Sequence, residues 1–188
     1  MRLSSGRSIP VPEHAGRRPQ EKGSQDALGN KILPSDELAR KLSAHRKDGK
    51  RIVFTNGCFD LLHVGHVRYL QAAKKLGNLL VVAINSDRSV RALKGESRPI
   101  QAEQDRLEIL AALECVDYVT LFEEETPQRI IELLQPDILV KGGDWPREKI
   151  VGREEVESRG GKVVTIPYVV GASTTGLIQK IIRSSSQA

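Results

Sequence analysis

The run Leu79-Leu80-Val81-Val82-Ala83-Ile84 has no polar residue to turn toward water. A strand with one face in solvent alternates apolar and polar residues. A strand that is apolar throughout must be covered on both faces, as in the middle of a parallel sheet with helices above and below. The surrounding sequence supplies the rest of such a sheet. Short apolar runs at 52–55, 118–122, 137–141 and 162–166 read as further strands. Helical spacing fills the intervals at 64–76 and 102–113. Thr126-Pro127 opens another helix to Leu134, and a last one spans 174–183. An earlier helix is predicted from Ser35, read as its cap, with Asp36 and Glu37 in its first turn. Leu38 and Leu42 share a face of that helix, and Gly49 ends it. Strands alternating with helices predict an α/β fold, a doubly wound five-stranded parallel sheet with right-handed crossovers.

Ligands of such sheets bind beyond the carboxyl ends of the strands. The unusual polar segments of this chain fall there, at 56–66, 85–87, 141–144 and 171–175.

Composition bounds the rest. A chain of 188 residues with 39% hydrophobic and 28% charged residues can build one soluble α/β domain. No stretch approaches the ~20 apolar residues of a membrane span, and no apolar signal core follows the early arginines. Cys58 and Cys115 form neither a metal-type nor a redox-type pair, so a reduced, cytoplasmic setting is expected. The net charge of +5 is local: residues 1–50 hold 11 Lys/Arg against 6 Asp/Glu, and residues 51–188 hold 18 against 18. A nucleic-acid face on the main domain is therefore not expected. Residues 1–30 are rich in Arg, Pro, Gly, Ser and Gln, and are expected to be a disordered basic tail, inert or serving as a tether. Residues 31–188 are expected to be the functional domain.

The chemistry concentrates in Thr55-Asn56-Gly57-Cys58-Phe59-Asp60-Leu61-Leu62-His63-Val64-Gly65-His66, which leaves the first strand and enters a long helix. His63 and His66 are three residues apart and can present both rings at one helix end. Gly65 lets a phosphate approach the backbone, and the helix N-terminus offers free N–H groups and a positive dipole end. Imidazole donors suit a reaction that builds charge on phosphoryl oxygens. With no third His or paired Cys nearby, the pair is not read as a zinc site.

This string, with Leu93-Lys94-Gly95, Arg98-Pro99-Ile100, Asp105-Arg106, Val140-Lys141-Gly142-Gly143-Asp144-Trp145 and Gly171-Ala172-Ser173-Thr174-Thr175, resembles the cytidylyltransferase-like nucleotidyltransferases. The resemblance runs over about residues 31–183 and implies a Rossmann-like nucleotidyltransferase fold. It is most similar to the branch that adenylates heptose 1-phosphate to ADP-heptose for lipopolysaccharide. In many bacteria that activity is the C-terminal half of a bifunctional kinase/adenylyltransferase, so a stand-alone form is expected here.

The resemblance implies ATP and a sugar 1-phosphate as partners, and direct in-line attack of the acceptor phosphate with pyrophosphate leaving. It implies catalytic roles for His63, His66 and Lys94. Lys94, expected in a mobile loop, would close over the phosphates. Arg106 would join it at the acceptor phosphate, although alone it reads as a surface residue. Thr55, Asn56, Gly57, Cys58, Phe59, Gly65 and His66 would line the nucleotide floor, with Lys141, Gly142, Asp144, Ser173, Thr174 and Thr175 around them. Asp60 would orient the loop or a histidine. The Ser173-Thr174-Thr175 hydroxyls suit either a phosphate or a helix cap. Mg²⁺ is expected with the triphosphate, held mostly by phosphate and water, with protein metal ligands unknown. A homo-oligomer is implied by the family alone.

Two departures bear on the base. Cytidylyltransferases that use glycerol 3-phosphate carry an Arg shortly before the Gly-x-Ser-Thr segment and an Asp where Gly143 stands. Here Tyr168-Val169-Val170 precedes Gly171, which favours ATP over CTP. A non-catalytic nucleotide-binding module would be expected to lose a phosphate contact, yet His63, His66 and Lys94 are present. A tRNA synthetase fragment shares the His-x-Gly-His pattern but would need a chain long enough for tRNA.

Overall fold

A strand buried on both faces needs a neighbour on each side and a helical layer above and below. The computed structural model, which describes residues 30–143, 145–167, 171 and 173–185, supplies all of them. The strands are β1 (Ile52–Gly57), β2 (Leu79–Asn85), β3 (Tyr118–Phe122), β4 (Ile138–Gly142) and β5 (Lys162–Ile166). They form one sheet in the order β3-β2-β1-β4-β5, and every pairing is parallel. The register sets Ile52 beside Leu79 and Phe54 beside Val81.

Successive side chains of a strand point to opposite faces, and the core divides accordingly. Ile52, Phe54, Val81 and Ala83 pack with Leu38, Leu42, Ile131 and Val156 in one layer. Val53, Leu80, Val82 and Ile84 pack with Leu70, Ala73, Leu107 and Leu110 in the other. The first layer is covered by α1 (Ser35–Lys47), α5 (Gln128–Leu134) and α6 (Arg153–Ser158), and the second by α2 (Val64–Lys74) and α4 (Glu103–Ala111). The remaining helices are α3 (Asp87–Lys94) and α7 (Thr174–Ser185), with a short 3-10 turn at Arg147–Lys149.

Several boundaries differ from expectation. Ser35 is the first residue of α1 and makes no capping bond; Pro34 holds the cap position. Pro127 likewise precedes α5 rather than starting it. Gly49 does end α1, at φ +73°, with its N–H donating to the Arg46 carbonyl and that of Lys50 donating to His45. Ile32, ahead of α1, bridges to Val119 in β3. The expected tail lies outside the described residues apart from Asn30.

The unforeseen element that matters most is α3. Its sequence, DRSVRALK, buries only Ser89 and Val90, and half of its residues are charged. Its order comes from capping and neighbours. The Ser86 hydroxyl accepts from the Ser89 N–H at 3.2 Å, and the Asp87 N–H donates to Glu103 Oε2 at 2.8 Å. Lys94, expected in a loop, is the last residue of this helix.

Candidate active site

The chain runs outward from β1 through β2 to β3, then crosses back to place β4 on the other side of β1. Loops leaving β1 and β4 diverge at this switch and open a crevice above it. A cavity of about 600 Å³ occupies that position, lined among others by Asn56, Cys58, His63, His66, Lys141 and Ser173.

His63 is the N-cap of α2, in extended conformation, and its carbonyl accepts the N–H of His66 at 2.9 Å. This brings the two imidazoles into a stack, with ring centroids 3.9 Å apart and planes inclined by 20°. Each ring has a buried Nδ1 with no hydrogen-bond partner. Burial disfavours the charged form of both. His66 is pushed down to about 4, mainly by burial and further by its neighbour His63; His63 is lowered by burial. Both rings are therefore neutral near pH 7, each with one N–H to donate and one nitrogen to accept.

The floor beneath them is strained. Phe59 sits at φ +47°, a conformation that costs a bulky residue energy and is held only by its surroundings. Its ring lies 5.2 Å from that of His66. Gly57 makes room for this ring: a Cβ there would stand 3.2 Å from Phe59 Cε2.

Lys141, at the end of β4, donates to Asn56 Oδ1 at 2.7 Å. Burial lowers its ammonium to about 8, partly offset by Cys58. A half-buried cation paired with a neutral amide is a ready site for phosphate oxygen. Thr55 is fully buried and does not line the cavity; its hydroxyl pairs with the Tyr69 hydroxyl at 2.6 Å. Tyr69 in turn donates to the Val140 carbonyl at 3.1 Å, tying α2 to β1 and β4, and it lines the cavity.

On the far wall, the Ser173 hydroxyl accepts the Gly176 N–H at 3.0 Å, a cap contact at the start of α7. Thr174 Oγ1 donates to the Leu61 carbonyl at 3.3 Å and so links α7 to the β1 loop. Trp145, 52% exposed, and Pro167 complete the rim with Gly65, Gly142 and Gly171.

The family model for cytidylyltransferase-like proteins matches residues 54–183 of this sequence. The chain belongs to that family. Its all-parallel α/β sheet is the Rossmann-like fold of that family. Bifunctional protein HldE of Citrifermentans bemidjiense is 57% identical over 162 residues, which is 86% of this chain and 33% of that protein. The protein of the same name from Geotalea uraniireducens is 59% identical over 151 residues, 80% of this chain and 31% of the relative. The chain thus spans about a third of the length of the curated relatives it matches. Among solved structures, the lipopolysaccharide core biosynthesis protein from Thermoplasma volcanium is 30% identical, with a TM-score of 0.51. The match covers 64% of this chain and 98% of that one.

The family motifs do not all converge on the cavity. Lys94 is exposed and outside the lining, although its charge is felt by the Cys58 thiol. Thr175 is exposed on α7, also outside the lining. Asp144 lies outside the described residues. Arg106, expected at the acceptor phosphate, is instead sealed from solvent and bonded to protein oxygens. Its aliphatic stem and flat guanidinium fit the space between β2, α3 and the β1 loop, where three carbonyls await donors. Asp60, 2% exposed, holds the segment after α3: it accepts from Arg98 Nε at 2.5 Å, and from the N–H groups of Ile100 and Gln101. Its carboxylate is thus turned to the 98–101 segment rather than to either histidine.

Among the described residues no group of three His, Cys, Asp or Glu side chains gathers to hold a metal ion. Trp145, Pro167 and Tyr69 were not among the residues expected at the site. A hydroxyl aimed at a strand end, as in Tyr69, leaves no mark in helical spacing.

Proposed function

We propose that this cavity transfers the adenylyl group of ATP to D-glycero-β-D-manno-heptose 1-phosphate, giving ADP-heptose and pyrophosphate for lipopolysaccharide core precursors. The observation that carries this reading is the stacked, neutral His63–His66 pair at the start of α2, facing Lys141 across one cavity. An oxygen of the acceptor phosphate attacks the α-phosphorus in line, a new P–O bond forms, and the bond to the β-phosphate oxygen breaks. No proton need leave the nucleophile, so no general base is required. The protein's work is alignment and charge stabilisation.

In this reading His63 and His66 donate N–H groups to the phosphoryl oxygens, and the first turn of α2 adds backbone N–H groups. Lys141 supplies positive charge to the triphosphate from beside Asn56. Cys58, Gly57, Phe59 and Gly142 shape the floor, and Ser173 and Thr174 offer hydroxyls from the α7 side. Lys94, whose charge already acts on Cys58, neutralises the acceptor phosphate. Mg²⁺ arrives with ATP. The likeness to bifunctional protein HldE and to a lipopolysaccharide core biosynthesis protein supports the choice of acceptor. The missing Arg before Gly171 supports ATP.

We also propose a cytoplasmic homo-oligomer. Two cysteines left free support a reducing compartment, and no helix among the described residues is long and apolar enough to cross a membrane.

The test is pyrophosphate release with Mg²⁺, heptose 1-phosphate and either ATP or CTP. ATP-dependent release is the expected result. Silence with ATP, but turnover with CTP and glycerol 3-phosphate, would reject it in favour of a cytidylyltransferase.

A further inference from the structure

Arg106 is the largest side chain sealed from solvent in the described molecule. A guanidinium cannot shed its charge, so it is buried only where acceptors surround it. Four hydrogen bonds do this. Nε donates to the Gln101 carbonyl at 3.1 Å and Nη1 to the Cys58 carbonyl at 2.6 Å; Nη2 donates to the Asn85 carbonyl and to Asp87 Oδ1, both at 2.8 Å.

The choice of partners is informative. The Cys58 carbonyl belongs to the peptide that enters Phe59, the residue at φ +47°. The residue on the other side of Phe59 is Asp60, whose Oδ1 accepts the Gln101 N–H at 3.0 Å. Gln101 then offers its carbonyl to Arg106. Cys58 and Asp60 are thus both tied to Gln101, one through Arg106 and one directly. The clamp closes around Phe59, whose ring lies against His66.

We infer that Arg106 is a positioning residue for nucleotidyl transfer: by holding the Cys58–Phe59 peptide it keeps Phe59 in its strained conformation and so seats His66 for the reaction. This rests on the proposed function only for its kinetic consequence. The clamp itself can be read without substrate, because Cys58 is a thiol within it. Its Sγ lies 3.9 Å from Asn85 Oδ1, and burial raises its pKa. Cys58 is half-buried where it lines the cavity, and a loosened clamp exposes its thiol further.

The experiment compares Arg106→Lys and Asp87→Asn in a Cys115→Ser background, leaving Cys58 as the sole cysteine. Cys58 labelling by an aromatic disulfide reagent is followed alongside turnover per ATP-binding site. Arg106→Lys is expected to speed labelling about tenfold or more. It should lower kcat roughly 10- to 100-fold with the KM for ATP little changed, since misplaced catalytic groups cost rate before affinity. Asp87→Asn, which leaves the three carbonyl contacts, should move both readouts the same way by less. A purely structural arginine predicts lower thermal stability with labelling and kcat per site at wild-type values, and that result would overturn the inference. If Arg106→Lys does not fold, wild-type labelling and turnover in Asp87→Asn would overturn it. If the unmodified chain releases no pyrophosphate from ATP, the proposed function fails, and the labelling rates still decide the clamp.

Discussion

Two buried imidazole nitrogens without partners are costly, of the order of 1–3 kcal/mol each, and the free protein carries both at His63 and His66. A phosphate oxygen is an acceptor, so a nucleotide relieves this cost only where Nδ1 carries the ring proton. His66→Ala is expected to lower turnover by roughly 10²–10³-fold, as for loss of one transition-state donor, with an unchanged circular dichroism spectrum. Titration gives a second check. The unfolded chain protonates a histidine near 6.5, and the folded chain protonates His66 only near about 4. Between those values the unfolded state holds more protons, so stability rises with pH through the window and is lost as pH falls through it. His66→Asn should flatten the slope of the urea midpoint between pH 4 and 6.5; an unaltered slope would remove His66 as its source. Lys141 works at the other end of the scale. Its pKa of about 8 means that ATP affinity should fall above pH 8, approaching tenfold per unit. Lys141→Met should bind ATP weakly and without that dependence, as titration calorimetry across pH 7–9.5 would record.

At the scale of elements, the contact between α5 and α6 is set by one glycine. Gly152 caps α6 at φ +84°, and a Cβ there would stand 2.5 Å from Cδ1 of the fully buried Ile131. Gly152→Ala combines left-handed strain with overpacking and should cost about 2–3 kcal/mol by chemical denaturation. ATP affinity of the folded fraction should be untouched, since α6 contributes nothing to the cavity lining. The elements legible in the sequence are those whose order is local. Tyr118–Phe122 and Lys162–Ile166 are strands at the expected bounds, because short apolar runs between turn residues have few other solutions. The polar loops at the strand ends were legible for the same reason, and Asn56, Cys58, His63, His66 and Lys141 meet at one cavity. What could not be read depends on distant partners. α3 is a polar octapeptide ordered by Glu103 and Arg106. Arg106 itself stands in the first turn of a helix, where an arginine ordinarily faces water. The carbonyls of Cys58 and Asn85 and the Asp87 carboxylate, brought in by other elements, help to make its burial possible.

For the whole molecule, the cavity sits where the sheet reverses its winding, so it is built jointly by both halves of the fold. A ligand there bridges the β1–β2–β3 half and the β4–β5 half. It should raise the stability of the entire cooperative unit rather than of one loop. A ligand that binds only the folded chain, at one hundred times its Kd, stabilises by about 2.7 kcal/mol, which a thermal melt would read as a clear upward shift with ATP. Charge bears on where that binding energy arises. Residues 1–29 carry 5 Lys/Arg against 3 Asp/Glu, and a triphosphate would be attracted to such a segment if it lay at the site. Among the described residues, the cations at or near the cavity include Lys141, Lys94, Arg98 and Arg106, all inside the family match at 54–183. A chain beginning at Asn30 should therefore show the same ATP-induced shift and the same salt dependence as the full chain. A shift reduced by half or more in the shortened chain would assign part of the triphosphate's binding to the first 29 residues, and would mean that the sheet's switch point does not by itself account for nucleotide recognition.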